Sequence, residues 1–322
     1  MGIQIISAGS CLPELVVTND KLSEFLDTSD EWISTRTGIK QRHIATTETT
    51  TDLGVNAAKI ALENSGLSNK DINLVICATA TPDVCVPTVA ANIKKELGID
   101  SAVAFDMNAN CSSFVYAVTV AESLMKNCNY KNAIVIGVDA NSQILDWEDR
   151  STAVLFGDGA GAVVLSNTEN EGIISNHLDC VTDKDNALTC YNKINETPFY
   201  SKENEKNMKV AMNGQGVMRF ATRSFTEAVY AVVEKANISM SDIKLIIPHQ
   251  ANLRIIKAAA KKMNINEDKI YINIDRVANT SAATIPIALH EALEKELINR
   301  GDIVLLAAFG AGLSSGAVLI KW

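Results

Sequence analysis

The chain has no excess of positive charge. Lys and Arg total 29 against 38 Asp and Glu, a formal net charge of −9. Nucleic acid as the main partner is excluded on that ground, because phosphate binding needs a basic surface. There is no Cys-x-x-Cys pair among the seven cysteines, and no spacing typical of zinc ligands. His177, Cys180 and Cys190 lie near one another in sequence, but their spacing fits no common metal site, so no metal is expected. The N-terminus has no basic segment leading into a long apolar stretch. No secretory signal is therefore expected, and the expectation is a cytoplasmic protein with reduced thiols. Nor is there an uninterrupted apolar run of membrane-spanning length. The nearest, residues 303–320, follows Asp302 and is broken by glycines and by Ser314 and Ser315. Buried strands around a turn fit it better.

What is present is 322 residues, 47% of them hydrophobic, enough for two domains or one large α/β unit. A strand is expected over residues 3–8. Thr18 caps a short helix, and a second opens at Asp30 and stops near Gly38. A helix over 50–65 ends on Gly66. Residues 71–80 and 133–138 read as strands buried on both faces, with a helix over 87–97 between them. Asp149 begins a loop, and the run Gly157 to Gly161 precedes a strand over 162–165. Because those glycines open no helix, they form no dinucleotide loop, and close packing in a tight turn is their expected use. Residues 169–209, with a charge run at 202–206, read as a polar, irregular excursion.

The second half repeats the first. Ser65-Gly66-Leu67-Ser68-Asn69-Lys70-Asp71-Ile72 aligns with Ala236-Asn237-Ile238-Ser239-Met240-Ser241-Asp242-Ile243. Phe105-Asp106 through Asn110-Cys111-Ser112 aligns with Ile274-Asp275 through Asn279-Thr280-Ser281, and Gly161 to Leu165 with Gly316 to Ile320. Helices alternating with apolar strands imply parallel crossovers. A repeat this long implies two α/β halves, 1–168 and 169–322, packed as a pseudo-dimer. Equivalent turns should then face one cleft, with the Cys111 turn opposite the Asn279 turn.

Cys111 follows a short apolar strand and a polar turn, and directly precedes the helical alternation of 114–125. A helix N-terminus favours an anion, so a thiolate there is expected to be stabilised, with a pKa down to roughly 3.5–7.5. Taken alone, a cysteine such as Cys111 reads first as one more small core residue, and its strand–turn–helix context is what sets it apart. His249 lies in the polar turn Pro248-His249-Gln250-Ala251-Asn252, after the apolar strand 245–247. Asn279 lies in the turn matching that of Cys111. Polar turns at the carboxyl ends of buried strands commonly carry active-site groups.

These motifs resemble those of the β-ketoacyl-acyl-carrier-protein synthase III family, in the thiolase superfamily. The resemblance spans essentially the whole chain. It rests on Thr28-Ser29-Asp30-Glu31-Trp32-Ile33, Arg36-Thr37-Gly38-Ile39, the cysteine turn, Asp149-Arg150-Ser151-Thr152 and Phe156 to Gly161. Pro248 to Asn252, Asn279-Thr280-Ser281-Ala282-Ala283 and Phe309-Gly310-Ala311-Gly312 complete it. It implies a thiolase-like fold layered α-β-α-β-α, a homodimer and a Cys111–His249–Asn279 triad. It also implies decarboxylative condensation of an acyl-CoA primer with malonyl-acyl-carrier protein, with no metal or cofactor. The implied oxyanion hole is the backbone N–H of Cys111 and Ala311, and the enolate is met by a neutral His249 Nε2–H and the Asn279 amide. Thr28, Trp32, Arg36 and Arg150 are the implied CoA residues. Leu155, Met218 and Phe309, with Val86 reaching across from a partner subunit, are the implied acyl pocket. Arg254, Lys257 and Lys261 recur at i, i+3 and i+7 on one helical face. With Lys262 and Arg219 they form the expected docking surface for an acidic carrier protein.

Asn110, Ser113, Ala278 and Ser315 depart from the usual family pattern. No catalytic group is lost, but primer and pathway are left open. The chain could initiate fatty-acid synthesis or load the starter unit of a specialised pathway. A thioester hydrolase would share the Cys/His pair and would turn over acyl-CoA without malonyl-carrier protein. A silent partner subunit would ordinarily lack the nucleophile, and Cys111, His249 and Asn279 are all retained.

Overall fold

Apolar strands buried on both faces need helices above and below them, and two sheets meet that need here. The structure, a computed structural model, describes residues 2–191, 198–199 and 208–322. The first sheet runs Gly2–Cys11, Asp158–Thr168, Asn132–Ala140, Leu74–Ala78, Val103–Met107. Its last three strands are parallel, and the first two joins are antiparallel. The second sheet runs Ile173–Cys180, Ser314–Lys321, Ile303–Gly310, Ile243–Pro248. Beyond its last strand a single parallel bridge, Ile246 to Ile270, stands where a fifth strand would lie.

Helices Ser113–Cys128 and Thr284–Glu294 lie between the sheets. One core joins them: Phe114, Val118, Ile285 and Leu289 pack with Ile76 of one sheet and Ile247, Leu306 and Val318 of the other. Helices Thr50–Ser65 and Val89–Glu96 cover the far face of the first sheet. Helices Gly214–Ala236 and Leu253–Met263 cover the far face of the second. This is the expected α-β-α-β-α layering.

Local signals set the helix bounds. Thr49 and Asp52 form a capping box, and Gly66 at φ 71° ends that helix. Ser29 caps Asp30–Thr37, and Gly38 at φ 82° stops it. Several expectations are corrected. The strand read over 71–80 starts only at Leu74, because Asn69–Asp71 form a 3-10 turn closed by Ser68 and Asp71. Asp149 caps a short helix, Arg150–Ala153, in place of a loop. Gly159 and Gly161 lie inside a strand that begins at Asp158, not before it. A Cβ on Gly161 would come within 2.6 Å of Ile287 N, so its use is to let helix Thr284–Glu294 lie on the strand. Residues 169–209 contain the strand Ile173–Cys180. Its polar composition suits a sheet edge, which is why it read as irregular. The expected charge run at 202–206 lies outside the described residues.

Candidate active site

Strand Val103–Met107 leads into the 3-10 turn Asn110–Ser112, which runs directly into helix Ser113–Cys128. Cys111 is thus at a helix start and buried, as read from the sequence. Asn110 takes the left-handed conformation, φ 53°, which asparagine tolerates better than most residues. The departures beside the cysteine are fasteners. Ser113 Oγ accepts from Ala109 N at 2.7 Å and donates to Asn110 O at 2.6 Å. Ser112 and Ser314 meet through their hydroxyls at 2.7 Å, and Asn110 Nδ2 donates to Ala311 O at 3.3 Å. These bonds tie the Cys111 turn to the turn Ala311–Leu313. Gly310 makes the approach possible, since a Cβ there would sit 3.0 Å from the amide nitrogens of Cys111 and Ser112.

The matching turn of the second half comes up opposite. Ser281 Oγ donates to Cys111 Sγ at 3.4 Å. Asn279 is 5% exposed and threaded between Leu155 and Gly157: its N–H donates to Leu155 O, and its carbonyl accepts from Gly157 N. Ser281 N donates to Asn279 Oδ1 at 2.9 Å. That bond fixes the amide orientation, so Nδ2 is the donor left over. Asp139, fully buried, accepts from Ala80 N, Thr81 N and the hydroxyls of Thr79 and Thr81, and from Ala282 N at 3.1 Å. One first-half carboxylate therefore holds the second-half turn. Burial raises its pKa, and these donors oppose the shift.

His249 follows strand Ile243–Pro248, packs edge-on against Phe309 with ring centroids 5.1 Å apart, and is 1% exposed. Its Nδ1 lies 2.7 Å from Thr284 Oγ1, and that hydroxyl donates to Ser281 O at 3.0 Å. Thr284 has one proton to give, so in this arrangement its oxygen accepts Nδ1–H, and Nε2 keeps a lone pair. With the Thr284 hydroxyl turned into Nδ1 instead, the proton lies on Nε2, as the resemblance implies. Desolvation pulls the His249 pKa down to about 3. It pushes the Cys111 thiol up to about 11, against the Ser281 hydroxyl, which lowers it. The expected thiolate is corrected to a resting thiol. A neutral imidazole offers no charge, and loss of water outweighs the Ser281 hydrogen bond.

Cys111 lies at the junction of two cavities. The first, about 120 Å³, is also lined by His249 and Asn279 and by the expected pocket residues Leu155, Met218 and Phe309. The second, about 350 Å³, is lined by Asn110, Asn141 and Ser281 among others. Val86 lines neither, and it is 87% exposed. Trp32 lies with Arg36 Cζ 4.9 Å and Arg150 Cζ 5.1 Å from its ring centroid, and Arg150 is held by Asp27. A flat base stacked between indole and guanidinium needs about 7 Å, two contacts of ~3.5 Å, so Arg150 must swing aside to admit one. Thr28 Oγ1 is buried with no partner among the described residues. Arg254, Lys257, Lys261 and Lys262 are exposed on helix Leu253–Met263, and Arg219 is exposed on Gly214–Ala236. Arg254 Nε donates to Thr35 O at 3.2 Å, and Lys257 pairs with Glu267 at 3.4 Å.

Sequence reasoning missed Thr284, Asp139 and Asn141 as site residues. Thr284 lies three residues beyond Ser281, the spacing of a helix turn, and could have been found that way. Asp139 and Asn141 carry no local signal. Among the described residues no group of three His, Cys, Asp or Glu could hold a metal ion, and no helix is long and apolar enough to cross a membrane.

Residues 105–182 match the family described as 3-oxoacyl-(acyl-carrier-protein) synthase III, and residues 233–322 match its C-terminal part. The β-ketoacyl-(acyl-carrier-protein) synthase III of Clostridium beijerinckii is 48% identical over 320 residues, 99% of each chain. The crystal structure of the Aquifex aeolicus 3-oxoacyl-(acyl-carrier-protein) synthase III superposes with a TM-score of 0.93 at 43% identity, covering 100% of both chains. The priming β-ketosynthase of the R1128 polyketide pathway also superposes at 0.93, with 30% identity and 99% and 96% coverage. With its thiolase-like fold, the chain belongs to the 3-oxoacyl-(acyl-carrier-protein) synthase III family, the condensing acyltransferases of fatty acid synthesis.

Proposed function

We propose that Cys111 carries the acyl primer and that His249 and Asn279 drive decarboxylation of malonyl-carrier protein. The observation that carries this reading is one junction: Cys111 Sγ in contact with Ser281, in a chamber shared with His249 and Asn279. The Cys111 thiol attacks the acyl-CoA thioester, its proton passes to the His249 Nε2 lone pair, and the departing CoA sulfur takes that proton. The products are acyl-Cys111 and free CoA. The carbonyl oxygen of the tetrahedral intermediate is met by the backbone N–H groups of Cys111 and Ala311, each worth about 3–4 kcal/mol.

Malonyl-carrier protein then enters the chamber vacated by CoA. Asn279 Nδ2 donates to its thioester oxygen, the carboxylate leaves as CO2, and the resulting carbanion attacks acyl-Cys111. The product is a 3-oxoacyl-carrier protein, the electron pair of the broken C–S bond stays on the cysteine sulfur, and that thiolate takes a proton from solvent. His249 adds a second donor when its proton lies on Nε2. The Thr284 hydroxyl accommodates this by turning from Ser281 O to donate into Nδ1. The reaction uses no cofactor in this reading, and acyl-CoA is a substrate.

We propose the remaining roles on the same basis. Trp32, Arg36, Arg150 and Thr28 receive the CoA nucleotide, and Arg219, Arg254, Lys257, Lys261 and Lys262 receive the carrier protein. The chain divides at 168/169, as the matching strand orders of the two sheets support. A homodimer is supported by the open edge strand Val103–Met107, with Val103 45% exposed, and by Val86 at 87%. Both would be covered by a second copy, with Val86 reaching its acyl pocket. A cytoplasmic setting is supported by seven free cysteines. A second reading, starter loading in a specialised pathway, is favoured by the polyketide-priming relative. The decisive experiment incubates the protein with acetyl-CoA, with and without malonyl-carrier protein. CO2 release and 3-oxoacyl product only with the carrier support the reading, and steady acetyl-CoA turnover without it would show a hydrolase.

A further inference from the structure

The two cavities that meet at Cys111 differ in chemistry. The one containing His249 and Asn279 is otherwise walled mainly by apolar groups such as Leu155, Val217 and Phe309. It must admit the thioester arms, because decarboxylation needs those two residues. The other, about 350 Å³, holds neither, and so is left to receive the acyl chain carried on Cys111, which moves the acyl pocket away from the expected Leu155, Met218 and Phe309, since those line the first cavity. A chamber for an alkyl chain should be apolar. This one has Ile144, Phe156 and Leu188 on its wall, but Asn110 and Asn141 face it as well.

The orientation of both amides is fixed from behind. Asn141 Nδ2 donates to Gly157 O at 2.8 Å, and Asn110 Nδ2 donates to Ala311 O at 3.3 Å. A carbonyl can only accept, so the amide nitrogens are the ends committed to the backbone. Both Oδ1 atoms remain without a partner among the described residues, and neither is sealed away from the cavity. Asn141 is only 4% exposed, so its oxygen has little besides the cavity to face. Covering it with an alkyl chain would strand a buried acceptor, which is unfavourable. Thr189, Cys190, Tyr191 and Ser281 also line this cavity, and the two open amide acceptors among them suit a ligand that brings an O–H.

Resting on the proposed role of Cys111, we infer that the preferred primer is a short hydroxyacyl thioester, whose hydroxyl donates to Asn141 Oδ1 with Asn110 Oδ1 as a second acceptor. The departure from family pattern at Asn110 then has a use in selecting the primer as well as in shaping the turn.

The test compares kcat/KM, and the rate of Cys111 acylation by intact mass, for (R)- and (S)-3-hydroxybutyryl-CoA against isovaleryl-CoA. Isovaleryl has a methyl group in place of the hydroxyl and nearly the same shape. The expected result is a preference of at least about tenfold for one hydroxybutyryl enantiomer, as for pockets built to bond a substrate hydroxyl. Asn141→Leu should reverse that ratio. If Asn141→Leu does not fold, Asn110→Gly, which suits the left-handed backbone, should lower the ratio by several-fold. A wild-type preference for isovaleryl-CoA, or a ratio unmoved by either variant, overturns the inference. Acetyl-CoA keeps the two readings apart. Acetylation of Cys111 followed by condensation, with no hydroxyacyl preference, sinks this inference alone. Acylation of another cysteine sinks the reading beneath it.

Discussion

The two sheets share a strand order, yet their equivalent turns have been put to different uses. In the first half a full strand, Val103–Met107, delivers Cys111 to the start of a 16-residue helix. In the second half that strand is reduced to one bridge at Ile270, and the turn carries Asn279 and Ser281 into an 11-residue helix. In the proposed reaction one half presents the nucleophile, and the other presents donors. The lesson is that duplication supplies geometry without supplying chemistry. The two turns meet because the sheets are alike, and in the proposed reaction they take different parts because the residues are not. Asp139 and the Ser112–Ser314 pair bind the halves together at that junction.

The largest effect that could break this division is at the nucleophile. Cys111→Ala should abolish acylation by acyl-CoA, a loss of at least about 10³-fold measured by intact mass. Retained acylation would move the nucleophile elsewhere. Next is the contact that lets the turns close. Gly310→Ala should lower kcat by about 10²-fold with the protein still folded by circular dichroism, because a small displacement of reacting groups is enough.

The pH dependence sharpens the comparison from the electrostatic side. With Cys111 raised to about 11 and His249 lowered to about 3, neither titrates between pH 5 and 9. Alkylation of Cys111, mapped by mass spectrometry, should therefore climb only above about pH 9. A rise centred between 5 and 7 would restore the helix-stabilised thiolate. Stability follows the same signs. Below its ordinary 6.5, His249 takes up a proton more readily in the unfolded chain, so stability falls with pH from there towards 3. Cys111 loses its proton first in the unfolded chain, so stability falls as pH rises from 9 towards 11. The smallest effect is at the surface: Arg254→Glu with Lys261→Glu should raise the carrier-protein KM several-fold and leave acylation by acyl-CoA unchanged.

Much of the scaffold was legible because its signals are local. The capping box at Thr49, Gly66 and Gly38 announced helix bounds, and the repeated Ser-x-x-Asp turns at Ser68 and Ser239 exposed the duplication. Placing the Cys111 turn opposite Asn279 followed from that repeat alone. Long-range effects were not legible. The strand Ile173–Cys180 was hidden by its polar edge composition, and the thiol's raised pKa comes from burial by residues far along the chain. The tautomer of His249 depends on Thr284, 35 residues away, and the open acceptor of Asn141 depends on where Gly157 turns its carbonyl. Ala278, one of the departures from the family pattern, has φ 59°, a positive backbone angle that glycine takes without steric cost.

The division of labour is tested most directly by separating the two half-reactions in Asn279→Ala. Load Cys111 with acyl-CoA, remove free CoA, add malonyl-carrier protein, and follow acyl-Cys111 by intact mass and CO2 by release. The account predicts acylation within a few-fold of wild type and CO2 release lowered by about 10²–10³-fold, the effect of removing one donor from a developing oxyanion. Wild-type CO2 release, or equal loss in both half-reactions, would contradict it.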